Sequence, residues 1–113
     1  HDDPWVEAML GFTYRSKADF KVAIRHFERA YRLRPSVRLG YELGATRALA
    51  CDLAGADSSF AATDNQFPNA QAEVPPEYRA MREASAMHVG AKDPDCGAFI
   101  VRADSRAARA AAR

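Results

Sequence analysis

The chain has 113 residues, 48% of them hydrophobic and 27% charged, with a formal net charge of +1. That is one domain's worth of sequence, with enough apolar side chains for a real core. It does not read as a disordered segment or a membrane-spanning one, since no run approaches about 18 apolar residues. The near-zero total hides an asymmetry. Residues 15–38 carry eight Lys/Arg against Asp19 and Glu28, a net of +6, and residues 39–78 carry six Asp/Glu against Arg47, a net of −5. Two solvated helix surfaces that attract each other account for this. A basic patch for phosphate or lipid head groups is the other reading, and no base-reading motif points to nucleic acid.

The first predicted element is a helix over 4–16. Asp3 can cap it, Pro4 suits the first helical position, and Trp5, Met9, Phe12 with Leu10, Tyr14 recur at helical spacing. The stretch RSKAD breaks the pattern. A second helix is expected over 19–34, with Phe20, Ala23, Phe27, Ala30 and Tyr31 on one face, and Pro35 stops it. Ser36 can cap a third helix over 37–53; Gly55 is expected in the following turn, and a fourth helix over 56–67 ends before Pro68. After a loop, Pro75 or Pro76 opens a fifth helix over 76–89, ending near Gly90. GAFIVR, within a turn-rich stretch, is expected as a short extended segment. DSRAARAAAR reads as a tail or linker.

A shift of 33 residues brings Leu10-Gly11 onto Leu43-Gly44, Ala23 onto Ala56, Phe27 onto Phe60, Ala30 onto Thr63 and Pro35 onto Pro68. This order resembles the tetratricopeptide repeat, a unit of about 34 residues reading W-x2-L-G-x2-Y, A-x3-F, P. The first copy matches at Leu10, Gly11, Tyr14, Ala23, Phe27, Ala30 and Pro35, with Glu7 in place of the Trp. The second matches at Leu43, Gly44, Ala56, Phe60 and Pro68, with Gly40 for Trp and Arg47 for Tyr. The resemblance implies an all-α, right-handed array of helical hairpins: two repeats over about 4–35 and 37–68, a cap helix over about 76–89, and a body of 1–90 followed by a tail or linker over 91–113. The two glycines would then mark close helix approach, with Ala23 and Ala56 as the small partners facing them. Phe27 and Phe60 would fill the wedge between hairpins.

In such a stack the fifth helix would lie beside the third, bringing Cys96 within reach of Cys51. A disulfide and two ordinary thiols are the two readings, and a disulfide would require an oxidising compartment. No Cys or His spacing suggests a metal site, no motif implies a cofactor, and no catalytic constellation is present, so an enzyme is not expected. His26 is expected at the surface or half-buried.

The resemblance also implies a groove lined by the first helix of each pair. Transferred to this chain, it comprises Trp5, Ala8, Met9, Phe12 and Arg15 from the first helix. The third supplies Arg38, Tyr41, Glu42, Ala45 and Ala48. Such a surface, apolar with Arg15 and Arg38 as cationic handles, suits an apolar helix or extended peptide. The alternative is that Trp5, Met9 and Phe12 pack against a neighbouring repeat or the chain's own tail. Two repeats, a Pro-Pro-opened helix and a linker are similar to the periplasmic helical domains that precede outer-membrane barrels, such as the surface lipoprotein assembly modifier family. PSVRLGYELG and VPPEYRAMRE carry that likeness. It implies a periplasmic piece of a larger bacterial envelope protein that binds a protein or peptide. The alternatives are a cytoplasmic location, and a spacer, oligomerisation domain or regulatory appendage of an enzyme.

Overall fold

The computed structural model describes residues 3–89. These residues form an all-helical body of five helices: α1 (Pro4–Ser16), α2 (Phe20–Leu33), α3 (Val37–Leu49), α4 (Leu53–Gln66) and α5 (Pro76–His88), with a 3-10 turn at Gln71–Glu73 before α5. Helix α1 packs on α2, α2 on α3, α3 on α4, and α5 on both α4 and α3. Among the described residues, no helix is long and apolar enough to cross a membrane. The expected extended segment at GAFIVR and the tail over 91–113 lie outside the described residues.

Every bound of α3 and α4 lies 33 residues after the corresponding bound of α1 and α2. The turns agree at the same offset. Ala18 and Cys51 both adopt left-handed backbone, at φ 60° and 64°. In each turn this residue closes the preceding helix, with Ala18 N–H donating to Arg15 O at 2.9 Å and Cys51 N–H to Ala48 O at 3.0 Å. The next N–H completes a Schellman pair, Asp19 to Tyr14 O and Asp52 to Arg47 O, both at 2.9 Å. The same aspartate then turns its side chain forward as N-cap, Asp19 towards Val22 N–H and Asp52 towards Gly55 N–H. This corrects two expected boundaries. Helix α3 stops at Leu49, short of 53. Gly55 lies in the first turn of α4, which begins at Leu53. An Asp N-cap and a left-handed residue make the break, so no glycine is needed there.

Within each hairpin the glycine meets a ring. A Cβ added at Gly11 would lie 2.7 Å from the Phe27 ring, and one at Gly44 would lie 2.4 Å from the Phe60 ring. Both rings are buried, so neither can swing away. The expected partners Ala23 and Ala56 are fully buried, and the close approach lies within each hairpin as expected, with the Phe27 and Phe60 rings against the glycine backbone. Burying each phenylalanine contributes about 1.5–3 kcal/mol, and the ring needs the missing Cβ to reach its place. A second close approach is absent from the motif. Gly40 sits under Thr63, whose Oγ1 would be 2.1 Å from an added Cβ. The positions 33 residues earlier are Glu7 and Ala30, so the smaller residue of the pair stands on the second helix there instead of the first.

The main core joins α3, α4 and α5 through Val37, Tyr41, Ala45, Ala48, Leu53, Ala56, Phe60, Val74 and Met81. A smaller cluster of Ala23, Phe27 and Leu43, with Tyr14, Ile24 and Leu39 against it, joins the two hairpins. Helix α3 is covered on most sides, whereas α1 buries only Ala8 and Gly11.

Candidate binding cleft

The residues expected to line a groove separate into an outer and an inner set. Trp5, Met9 and Phe12 are exposed on α1, at 72%, 54% and 37%, with Val6 beside them. Arg38 is also outward, its side chain 66% exposed. Tyr41 and Glu42 are fully buried and Arg15 is largely so; these three are held inside and are not surface handles, because α5 covers this part of α3.

The inner set forms a polar hub on Glu42. Arg15 Nη1 donates to Glu42 Oε2 at 2.6 Å, Tyr78 OH donates to the same oxygen at 2.7 Å, and Arg38 Nε reaches Oε1 at 3.2 Å. Arg15 Nη2 donates to the Tyr78 hydroxyl at 3.3 Å, and its Nη1 is also 3.4 Å from Thr46 Oγ1. A buried carboxylate is tolerated only when neutralised and hydrogen-bonded, and this one has both. Burial pulls the Arg15 guanidinium down, but Glu42 and Tyr78 outweigh it and hold it above its ordinary value. Burial, and then the Glu42 carboxylate, push Tyr78 up to about 12.

A second polar cluster pins α5. Tyr41 OH donates to Asp64 Oδ1 at 2.7 Å, and Gln71 Nε2 donates to the same oxygen at 2.7 Å. Arg82 Nη1 lies 2.7 Å from Asp64 Oδ2 and 3.1 Å from the Tyr41 hydroxyl. Burial, with the hydrogen bond to Asp64, pushes Tyr41 up to about 12. Tyr78 and Arg82 are one helical turn apart on α5, and Tyr41 and Glu42 are adjacent on α3, so the two clusters form one seam. Sequence reasoning missed Tyr78, Arg82 and Asp64; the only available signal is their spacing.

The outer set borders a cleft of about 530 Å³ between α1 and the start of α3, lined by Trp5, Ala8, Phe12, Leu39, Arg34 and Arg38, with Asp3 and Glu42 also in the lining. Phe12, of the outer set, touches the inner one. Its ring packs edge-on against Phe27, centroids 5.1 Å apart, while the Arg15 guanidinium lies 5.0 Å over its face. On the other side of α1, His26 stacks on Tyr14 and its Nδ1 lies 2.7 Å from Glu7 Oε2, making it half-buried.

The basic half of the chain is only partly neutralised by the acidic half. Arg15 and Arg38 pair with Glu42, and Glu28 pairs with Arg47. Among the described residues, Lys17, Lys21, Arg25, Arg32 and Arg34 carry no ion pair. No group of His, Cys, Asp and Glu that could hold a metal ion occurs among those residues either. Cys51 is disulfide-bonded; Cys96, its expected partner, lies outside the described residues. No family model matches this chain, and neither a curated protein nor a solved structure is recognisably similar to it.

Proposed function

We propose that residues 4–68 are two tetratricopeptide-like repeats capped by α5, and that the module binds a protein or peptide through the α1/α3 cleft. The fold part is supported by the 33-residue register. Helix bounds, left-handed turn residues, Asp caps and Gly-to-Phe contacts all recur at that offset. The pairs Tyr14–His26 and Arg47–Ser59, the latter hydrogen-bonded at 2.6 Å, add side-chain contacts at equivalent positions.

The observation that carries the function is the exposed stripe Trp5, Val6, Met9 and Phe12 beside a cleft. A helix that leaves four large apolar residues in water loses the stabilisation of burying them, unless something else covers them. The test is a panel of short peptides titrated against the chain and against a Trp5→Ala/Met9→Ala double variant. The double variant should keep its unfolding midpoint and lose binding; equal binding by both proteins refutes the assignment. The bonded state of Cys51 supports the envelope location proposed here, because disulfides persist in oxidising compartments.

A further inference from the structure

Resting on the reading of this cleft as a binding surface, we propose that its occupant is an acidic, apolar peptide segment, a side-chain carboxylate next to a bulky apolar residue. The floor is apolar, formed by Trp5, Ala8, Phe12 and Leu39. The volume of about 530 Å³ falls within the range, roughly 300–1,000 Å³, of sites that enclose a small apolar group. Both acids in its lining accept hydrogen bonds from within the protein. Asp3 Oδ1 accepts the Trp5 N–H at 2.8 Å, and Glu42 accepts from Arg15, Arg38 and Tyr78.

The cations at the rim are not so engaged. Among the described residues, Arg34 pairs with no carboxylate. Arg38 uses only its Nε on Glu42, which leaves both terminal nitrogens available to a ligand. A guanidinium meets a carboxylate with two parallel hydrogen bonds, so these two positions select an anion. The cations of residues 15–38 without an ion pair among the described residues, Lys17, Lys21, Arg25, Arg32 and Arg34, add a field that draws acidic partners in. The apolar floor continues along α1 to exposed Met9, an open track that suits a chain better than a single small acid.

Trp5 is the chain's single tryptophan and lies in the cleft, so its fluorescence reports occupancy directly. The experiment titrates the whole chain with three short peptides blocked at both ends, alternating Leu with Glu, Gln or Lys, and with decanoate. The Leu–Glu peptide should shift Trp5 emission to the blue and bind about tenfold more tightly than Leu–Gln, weakening with salt. Arg34→Ala should remove about that tenfold for Leu–Glu and leave Leu–Gln unchanged. Equal binding of Leu–Glu and Leu–Gln, or no effect of Arg34→Ala, overturns the carboxylate selectivity and leaves the binding surface standing. Tighter binding of decanoate overturns the peptide. If no peptide binds, or if sedimentation shows a dimer that Trp5→Ala disperses, the cleft belongs to a second copy or to nothing, and the underlying reading falls as well.

Discussion

Gly40 and Thr63 offer the sharpest test of how the second hairpin is packed. A Cβ at position 40 would stand 2.1 Å from Thr63 Oγ1 and 2.5 Å from its Cγ2, and Thr63 is buried with its hydroxyl donating to Ser59 O at 2.7 Å. Gly40→Ala gains about 1 kcal/mol of helix propensity and pays an overpacking penalty of about 1–3 kcal/mol, so the single variant should be neutral to about 2 kcal/mol less stable. Thr63→Ala removes the two closest obstructing atoms, Oγ1 and Cγ2, and one buried hydrogen bond, at a cost of about 1 kcal/mol. In that background Gly40→Ala should be clearly less destabilising than in the parent, because the two closest atoms are gone and only the 2.8 Å approach to the residue 63 Cβ remains against the propensity gain. The double-mutant cycle should therefore show a coupling of about 1–3 kcal/mol, read from urea unfolding followed by helical circular dichroism. Additivity to within about 0.5 kcal/mol would refute the contact.

Three further expectations follow from the turn and the seam. Ala18→Gly should stabilise the chain by about 1 kcal/mol in thermal or urea unfolding, since φ 60° costs an L-residue that glycine would not pay. Glu42→Ala should cost about 3–5 kcal/mol by leaving Arg15 buried without its carboxylate, and hydrogen exchange should rise first in α5; a loss under about 1 kcal/mol would contradict the hub. Tyr41 and Tyr78 stay neutral to about pH 12 when folded but ionise near 10 when unfolded. The unfolded chain therefore holds fewer protons between those values. Stability that is complete below about pH 10 should fall by on the order of 2 kcal/mol towards pH 12, a figure reduced from the full linkage because Tyr78 is only half-buried. Tyr78→Phe should flatten that slope in urea titrations run across the pH range.

The helical periodicity and the 33-residue offset were legible because they are written in large, regular residues: Leu-Gly, Ala-x3-Phe and Pro. The break between α3 and α4 was not. Leu49, Cys51 and Leu53 sit in a run rich in apolar and helix-forming residues, and nothing in their composition marks a chain reversal. The reversal depends on Cys51 taking a left-handed conformation with Asp52 capping the next helix. The turn Ala18-Asp19 does the same with different residues, so only the shared offset and the aspartate could have shown it. That Trp5, Met9 and Phe12 share one face was also legible from helical spacing, whereas placing Arg38 with them rested on the groove that the repeat resemblance implies. That Tyr41 and Glu42 are covered was not legible, since phase says which way a side chain points and not what lies over it. The cover is Tyr78 and Arg82, 36 and 41 residues further along from Glu42 and Tyr41.

The hub also explains why the outer and inner sets should not be treated as independent. Arg15 comes from α1, Glu42 and Arg38 from α3, and Tyr78 from α5, so one carboxylate ties together all three helices that flank the cleft and the seam. Apolar contacts tolerate small slides, whereas a carboxylate shared among two guanidiniums and a phenol constrains both distance and direction. Movement of α5 therefore bears on Glu42, and through it on Arg38 at the cleft rim and on Arg15, whose guanidinium lies over Phe12. Tyr78→Phe removes one bond to the carboxylate and one from Arg15, and leaves the bonds of Arg15 and Arg38 to Glu42. Its effect on peptide affinity at the cleft thus measures how far the seat of α5 controls the rim, apart from any change in global stability.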